Sequence, residues 1–191
     1  MKRVIDIAAS LIGLLLAAPL LAIAAIAIRR ESPGPALFAQ TRVGRNERPF
    51  TLYKLRTMYV GTSDVATHQV AASAVTPVGA RLRRWKFDEL PQLYNVLVGD
   101  MSLVGPRPCL PSQGELVAAR RRLGVFATRP GITGLAQVQG VDMSEPQRLA
   151  SVDAEYVRTR SLLSDIHLLI ATALGQGVGV DRIVPSRKKD S

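Results

Sequence analysis

Two adjacent acids, Asp88 and Glu89, begin the stretch of this chain whose residue types are best suited to chemistry. A helix-like run follows them and leads into a Gly-Pro-Arg-Pro turn that contains Arg107. A carboxylate can bind Mg²⁺ or attack phosphorus, and an arginine can hold a phosphate through paired hydrogen bonds. The segment 86–108 therefore indicates phosphoryl-transfer chemistry.

The acid pair by itself has a second interpretation. Neighbouring side chains on a helix point about 100° apart, so Asp88 and Glu89 need not face one metal ion. Asp88 could instead cap the following helix, with Glu89 stabilised in the first turn by the helix dipole. Residue types alone leave both interpretations open.

Arginines in or near turns form the second group of candidates. Arg107 lies between two prolines, whose stiff backbone would orient its guanidinium toward phosphate oxygens. Arg42 and Arg56 lie near predicted turns and could bind phosphate in the same way, although each arginine taken alone is more typical of a surface charge. The chain has neither a P-loop nor a GxGxxG motif, so nucleotide recognition would need another scaffold.

The N-terminal segment determines where such a site would operate. It has no charged residue from Ile7 to Ile28, and a spanning helix needs roughly 20 apolar positions. Pro19 favours a kink, and basic residues flank both ends, so the positive-inside rule gives no direction. The segment is either a re-entrant helix that bends at Pro19 or a kinked spanning anchor. A cleaved signal peptide fits less well because the apolar run is long.

The charge and composition of the chain limit the classes of molecule that it is expected to bind. The 191 residues carry a net charge of +10, which suits nucleic acid, anionic lipid or phosphate-bearing substrates. The apolar segment favours the last two, and a membrane-tethered nucleic-acid-binding protein is the alternative without a recognisable motif. Cys109 is the only cysteine, which excludes an intrachain disulfide, and His68 and His167 lie too far apart in sequence for the usual zinc spacing.

Short strands and helices are predicted between these motifs, so the expected fold class is α/β and mostly helical. A basic amphipathic helix at Val78–Phe87 would place Leu82 and Trp85 on one side, either in a lipid headgroup layer or against the core. The other predicted elements are a turn at Gly44–Pro49, a strand at Phe50–Leu55, a helix that follows Asp88 and ends at Gly99, and helices at Glu115–Arg122, Pro146–Arg160 and Leu162–Leu174.

Five motifs in order carry a resemblance to a known family. They are Q-x-R-V-G, PF-x-x-Y-K-x-R-T-M, DELPQL, GDMSLVGPRP and RPGITGLAQV. Together they resemble the bacterial sugar transferases, and more closely the small monotopic phosphoglycosyl transferases that start glycan assembly on undecaprenyl phosphate. The similarity runs from about Met1 to about Ile170.

The resemblance implies an enzyme that transfers a sugar 1-phosphate from a UDP-sugar to undecaprenyl phosphate and releases UMP. Asp88 would attack the β-phosphate and carry the phosphosugar covalently until the lipid phosphate takes it. Glu89 would position groups or handle protons, and Mg²⁺ would sit with Asp88. Arg83 and Arg107 match family arginines that are expected to contact phosphate. The product would enter O-antigen, capsule, exopolysaccharide or glycoprotein assembly.

The resemblance also implies an architecture. Residues 1–30 would form a re-entrant membrane helix broken at Pro19, residues 31–180 a small catalytic domain with interfacial amphipathic helices, and residues 181–191 a basic tail. The catalytic domain would lie on the cytoplasmic face of the bacterial inner membrane, in contact with membrane lipids and without nucleic acid. No additional membrane helices are expected before this core, and a homodimer is left open.

The chain departs from the family pattern at a few positions. Ala18 precedes Pro19 where a serine is common, so the re-entrant helix lacks one hydroxyl that could satisfy the broken backbone. Trp85 and Lys86 stand where Thr-Ser is common. The alternative function is a non-catalytic, membrane-anchored scaffold of the same fold, which would not need the acids and arginines that this chain has.

Overall fold

The computed structural model describes residues 1–61 and 74–175. His68 and the expected basic tail at 181–191 lie outside these ranges. The first element is the helix α1, Lys2–Glu31, which contains Pro19 and is about 45 Å long at 1.5 Å per residue. Among the described helices it is the one long and apolar enough to cross a membrane.

The surface of α1 is largely apolar and uncovered. Isoleucine, leucine and valine side chains would not be left in water over such a length in an ordinary soluble protein, so lipid is their natural surrounding. The exposed large side chains of this helix are Val4, Ile5, Ile7, Leu11, Ile12, Leu15, Leu16, Ile23 and Ile26.

The N-terminal turns of α1 are held on the rest of the protein by polar contacts. The buried Asp6 carboxylate accepts hydrogen bonds from Ser102 Oγ at 2.9 Å and from the Leu103 backbone N–H at 3.2 Å. Lys2 forms an ion pair with Asp165. These groups bring the start of α1 against segments roughly 100 and 160 residues further along the chain.

The C-terminal turns of α1 are held by apolar packing instead. Ala24 and Ile28 are buried in a cluster with Ala36, Leu55 and Leu82. One side of α1 therefore contacts the globular part of the protein from end to end, including Ser10 and Ala17 in its middle, while the other side stays exposed.

Two antiparallel strands follow. The strand β1, Leu37–Val43, pairs with β2, Pro49–Leu55, in a register that runs from Leu37↔Leu55 to Val43↔Pro49. A short 3-10 helix, Arg45–Glu47, closes the hairpin. The predicted turn and the predicted strand are both confirmed.

The helix α2, Pro77–Arg84, is capped at its N-terminus by Thr76, whose side chain accepts a hydrogen bond from Gly79 N–H at 2.9 Å. It ends before the predicted Phe87, because Lys86 adopts a left-handed conformation with φ 57°. Trp85 is therefore 67% exposed while Leu82 is 8% exposed, and the prediction that these two side chains share one helical face is wrong.

The helix α3, Gln92–Val98, ends at Gly99 in the left-handed conformation, as predicted. Its buried side includes Asn95, whose amide donates to Thr51 O at 2.7 Å and accepts from Tyr53 N–H at 3.1 Å. These bonds fasten α3 to β2. Its exposed side carries apolar residues instead, namely Tyr94 and Val98.

A second, parallel strand pair is formed by β3, Ser102–Val104, and β4, Gly131–Thr133. Tyr156 and Leu168 from later helices pack against Val104 of β3. The predicted helices at 115–122, 146–160 and 162–174 are confirmed to within about a residue. The described ranges are mostly helical with two small sheets, which agrees with the predicted class. The helices of this part are α4, Gly114–Arg122, α5, Leu135–Val138, α6, Pro146–Thr159, and α7, Leu162–Ala173, with a short 3-10 helix at Val125–Ala127.

Candidate active site

Asp88 lies in a short 3-10 helix, Phe87–Glu89, between α2 and α3, and it is only 7% exposed. The left-handed Lys86 turns the chain just before it. The helix α3 begins at Gln92, three residues after Glu89, with Pro91 at its N-cap and no side-chain capping bond. The interpretation of Asp88 as an N-cap residue is therefore wrong, since the cap position falls three residues later.

Glu89 joins the acid pair to the Gly-Pro-Arg-Pro turn. Arg107 Nη2 donates to Glu89 Oε1 at 2.8 Å, and the Glu89 side chain is well buried while that of Arg107 is partly exposed. The two motifs that the sequence separates by 18 residues therefore meet directly.

A fully buried ion pair supports the backbone of Arg107. Arg120 donates to Asp153 Oδ2 through Nε at 2.9 Å and through Nη2 at 2.7 Å, and both side chains are 2% exposed. Arg120 Nη1 also donates to Arg107 O at 2.8 Å. The next carbonyl of the turn, Pro108 O, accepts a hydrogen bond from Arg42 Nη1 at 3.1 Å. The turn is thus held by two buried guanidinium groups.

Lys54, on β2, joins the same cluster. Burial is the largest effect and lowers the pKa of its ammonium group, and the positive charges of Arg42 and Arg107 lower it further. The negative charges of Asp88 and Glu89 act in the opposite direction and raise this pKa. Five charged groups therefore gather at this point, from β1, β2, the 3-10 helix of Asp88 and the Gly-Pro-Arg-Pro turn, and four of them act on Lys54. Three are cations and two are carboxylates, an arrangement that suits a phosphate-bearing ligand.

Sequence reasoning missed Lys54. A signal was present, because Lys54 interrupts the apolar end of a strand and lies between Tyr53 and Leu55. In the structure its ammonium group lies 5.4 Å from the centre of the Phe38 ring, on the neighbouring strand. Phe38 is the residue paired with Lys54 in the strand register, so this contact runs across the hairpin.

The other two predicted arginines have different surroundings. Arg56 is buried and donates to Ser32 O and Pro33 O, each at 2.6 Å, so it ties the end of β2 to the turn after α1. Arg83, on α2, donates through Nε to Thr57 Oγ1 at 2.9 Å. Their contact with substrate phosphate stays a prediction.

The acidic residues at the site can be compared with the ligands that the expected Mg²⁺ would need. Residues 1–61 and 74–175 contain no group of three or more His, Cys, Asp or Glu side chains suited to a metal ion. Magnesium typically uses one or two carboxylates and completes its shell with water and substrate phosphates. Asp88 with the adjacent Glu89 therefore fits Mg²⁺ and does not fit an all-protein structural site.

Known proteins resemble this chain over most of its length. The family model described as bacterial sugar transferase matches residues 1–176. The chain is 47% identical over 182 residues to the UDP-glucose:undecaprenyl-phosphate glucose-1-phosphate transferase of Caulobacter vibrioides, covering 90% of this chain and 67% of that protein. It is 40% identical to the exopolysaccharide production protein PSS of Rhizobium leguminosarum bv. phaseoli, over 92% of this chain and 94% of that one.

A third relative differs in the sugar of its name. The chain is 38% identical to the UDP-N-acetylgalactosamine-undecaprenyl-phosphate N-acetylgalactosaminephosphotransferase of Aeromonas hydrophila, over 90% of this chain and 42% of that protein. The chain thus spans between two fifths and nearly all of these three relatives' own lengths. The match over residues 1–176 confirms the resemblance drawn from the motifs, and the chain belongs to the bacterial sugar transferase family.

Proposed function

We propose that this protein is a phosphoglycosyl transferase that moves a sugar 1-phosphate from a UDP-sugar to undecaprenyl phosphate and releases UMP. The observation that carries the proposal is the buried Asp88 carboxylate within the charge cluster of Lys54, Arg42 and Arg107. Two of the relatives are named for UDP-sugars and undecaprenyl phosphate, which supports the choice of both substrates.

In the first step the Asp88 carboxylate attacks the β-phosphorus of the UDP-sugar. The bond from that phosphorus to the oxygen bridging the two phosphates breaks, and UMP leaves with the electron pair. The phosphosugar remains on Asp88 as an acyl phosphate. Lys54 and Arg107 reduce the repulsion between the carboxylate and the diphosphate, and their positive charge stabilises the negative charge that grows on the leaving oxygen.

In the second step a phosphate oxygen of undecaprenyl phosphate attacks the same phosphorus. The bond from phosphorus to Asp88 breaks, the carboxylate is restored, and the product is an undecaprenyl diphospho-sugar. Both steps place negative charge near the same cations, so one site can serve both. Glu89 holds Arg107 at 2.8 Å and thereby positions its guanidinium for either phosphate.

Magnesium fits this proposal as a cofactor. Asp88 would hold it, with Glu89 adjacent and with substrate phosphates completing its shell. When bound, the ion would neutralise phosphate charge and orient the diphosphate.

The pKa of Lys54 leads to a test of its role in phosphate binding. Because burial lowers this pKa, the ammonium loses its proton at a lower pH than an ordinary lysine, whose pKa is about 10.4. We expect kcat/KM to fall on the alkaline side as Lys54 becomes neutral. Lys54→Arg should move that alkaline fall to higher pH, since arginine stays charged. The measurement is kcat/KM for UMP release between pH 7 and 10.

An identical alkaline profile in Lys54→Arg would assign the titration to another group. Lys54→Gln provides the comparison, because it removes the charge at every pH. We expect it to lower kcat/KM roughly 10- to 100-fold near neutral pH, in the range of a lost charge-assisted hydrogen bond.

The membrane arrangement belongs to the same proposal, with α1 as a re-entrant helix and the catalytic domain on the cytoplasmic face of the inner membrane. Its support is that Lys2 and Asp6 at one end, and Ala24 and Ile28 at the other, contact one globular part. A helix whose ends lie on opposite faces of a bilayer could not make both sets of contacts. Pro19 lies between them and removes one backbone hydrogen bond, which allows a bend.

Accessibility labelling tests this arrangement. Single cysteines introduced at Lys2 and at Arg30, in a Cys109→Ser background, should both resist a membrane-impermeant thiol reagent in intact spheroplasts. Both should react after the cells are opened. Reaction of only one of the two sites in intact spheroplasts would instead establish a spanning helix.

The reaction is tested by UMP release from the full-length protein in nanodiscs, with Mg²⁺, undecaprenyl phosphate and a panel of UDP-sugars. UDP-glucose and UDP-N-acetylgalactosamine come first, because relatives are named for them. We expect release with at least one sugar and dependence of the lipid product on undecaprenyl phosphate. Absence of release with every sugar would favour the scaffold alternative.

A further inference from the structure

A cavity of about 300 Å³ lies at the tip of the β1–β2 hairpin. Its walls include Arg45 and Arg48 from the hairpin loop, and Arg129 and Asp100 from segments beside it. The tip lies five residue pairs from Lys54, which is about 17 Å along the strands. The cavity is therefore separate from the charge cluster around Asp88.

The guanidinium groups of this cavity have donors to spare. Arg45 uses Nε on Ala127 O at 3.1 Å, and Arg129 uses Nε on Gly99 O at 2.8 Å. These bonds orient both side chains and leave their terminal nitrogens without a partner in the part of the chain that the structure describes. Over the same ranges Arg48 makes no side-chain hydrogen bond or ion pair.

The nearby acids do not neutralise the three arginines. Glu47, between Arg45 and Arg48 in sequence, is engaged by Arg121 through bonds of 2.6 to 3.1 Å. Asp100 is the one carboxylate in the described cavity wall. Three cations against one carboxylate leave the cavity positive, and forked guanidinium donors are well suited to phosphate oxygens.

The position of the cavity relates it to the membrane helix. Its wall residue Gly99 lies beside Arg3, since a Cβ on Gly99 would come within 3.2 Å of Arg3 Nη2. Arg3 donates to Val96 O and Leu97 O at the end of α3, and the exposed apolar surface of α1 begins at the next residue, Val4. The cavity therefore lies beside the N-terminal end of α1, where the exposed apolar surface of that helix begins. The membrane placement proposed above puts this end of the helix among the lipid headgroups.

We infer that this cavity binds a phosphate group at the membrane surface, and that the group belongs to an anionic phospholipid. Arg45, Arg48 and Arg129 supply the donors, and the neighbouring apolar surface of α1 accommodates the acyl chains. Such a contact would fix the depth and rotation of the protein on the bilayer. The inference rests on the membrane placement proposed above but is independent of the transfer reaction.

The test measures binding of a fluorescent short-chain phosphatidylglycerol to the purified full-length protein in non-ionic detergent. The variant Arg45→Gln/Arg48→Gln removes two cavity cations from exposed loop positions. The matched control Arg122→Gln/Arg148→Gln removes two exposed cations elsewhere, with weak partners in Gln147 and Glu145. We expect the cavity variant to raise Kd about 10-fold and the control to raise it less than about 2-fold. UMP release by both variants reports separately on the reaction.

Competition identifies the source of the phosphate. Phosphatidylglycerol should be displaced by unlabelled anionic lipid, and only weakly by inorganic phosphate or UDP at the same concentration. Equal Kd values for the two double variants would overturn the site, since charge alone would then explain binding. Displacement by inorganic phosphate or UDP as effective as by lipid, lost in the cavity variant, would overturn lipid as the source.

Discussion

Asp88→Asn should reduce turnover by at least about 10³-fold and abolish the covalent phosphosugar adduct, because an amide is not a nucleophile toward phosphorus. The substitution keeps the size of the side chain, so the buried position between α2 and α3 should still fold. The measurements are UMP release and intact-protein mass after incubation with the UDP-sugar in the absence of undecaprenyl phosphate. The adduct adds the mass of one phosphosugar to the wild-type protein alone.

Glu89→Gln is the comparison for this variant, since it alters the adjacent carboxylate and leaves Asp88 intact. Loss of the Glu89 charge weakens its bond to Arg107, so we expect a fall of roughly 10- to 100-fold with the adduct still detectable. An adduct that persists in Asp88→Asn would move the nucleophile to another residue. Loss of the adduct in Glu89→Gln alone would reverse the roles assigned to the pair.

Asp153→Asn should cause the largest loss of stability. It leaves the Arg120 guanidinium buried opposite a neutral amide, and breaking a buried ion pair costs about 3 kcal/mol or more. For a protein of this size that corresponds to a fall in Tm of roughly 6–12 °C. The measurement is thermal unfolding in detergent. Because Arg120 also donates to Arg107 O, kcat/KM should fall in the same variant below its Tm.

Two control variants distinguish the loss of the buried ion pair from a general sensitivity of the protein's stability to substitution. Glu145→Gln removes one partner of an exposed pair with Arg148 and should change stability by only a few tenths of a kcal/mol, about the size of an exposed helix pair. Arg120→Met/Asp153→Leu replaces both buried charges and should be milder than Asp153→Asn, since no unpaired charge remains. Equal Tm values for Asp153→Asn and Glu145→Gln would contradict the assignment.

The sequence predicted the elements whose signals are local. Apolar spacing placed α4, α6 and α7 to within about a residue, and Gly99 marked the end of α3 because a left-handed position favours glycine. The turn at Gly44–Pro49 and the strand at Phe50–Leu55 were also predicted from local residue types. Each of these depends on residues within about 15 positions of one another.

Predictions failed where the backbone departed from what residue type favours. Lys86 takes a left-handed conformation although it is not glycine, so α2 ends early and Asp88 falls in a 3-10 turn rather than at the cap of α3. The rest of the fold must stabilise this conformation, and its stabilising contacts are not readable from the neighbouring residues. Nothing in the sequence indicated that the terminal nitrogens of Arg56 bond to the backbone carbonyls of Ser32 and Pro33, and the contact of Arg56 with phosphate stays a prediction.

The sequence by itself determined the chemistry-bearing groups and the family, because Asp88, Glu89 and Arg107 lie in motifs whose residue types and spacing are specific. It also determined that an apolar N-terminal segment would seek lipid. Tertiary structure alone decided which other charged residues lie close to Asp88, Glu89 and Arg107. Lys54 and Arg120 resemble ordinary surface cations in sequence, and only the packing of β2 and α4 removes them from water and brings them to the site. A cation gains its role from its desolvation and its partners, and both arise from contacts between distant segments.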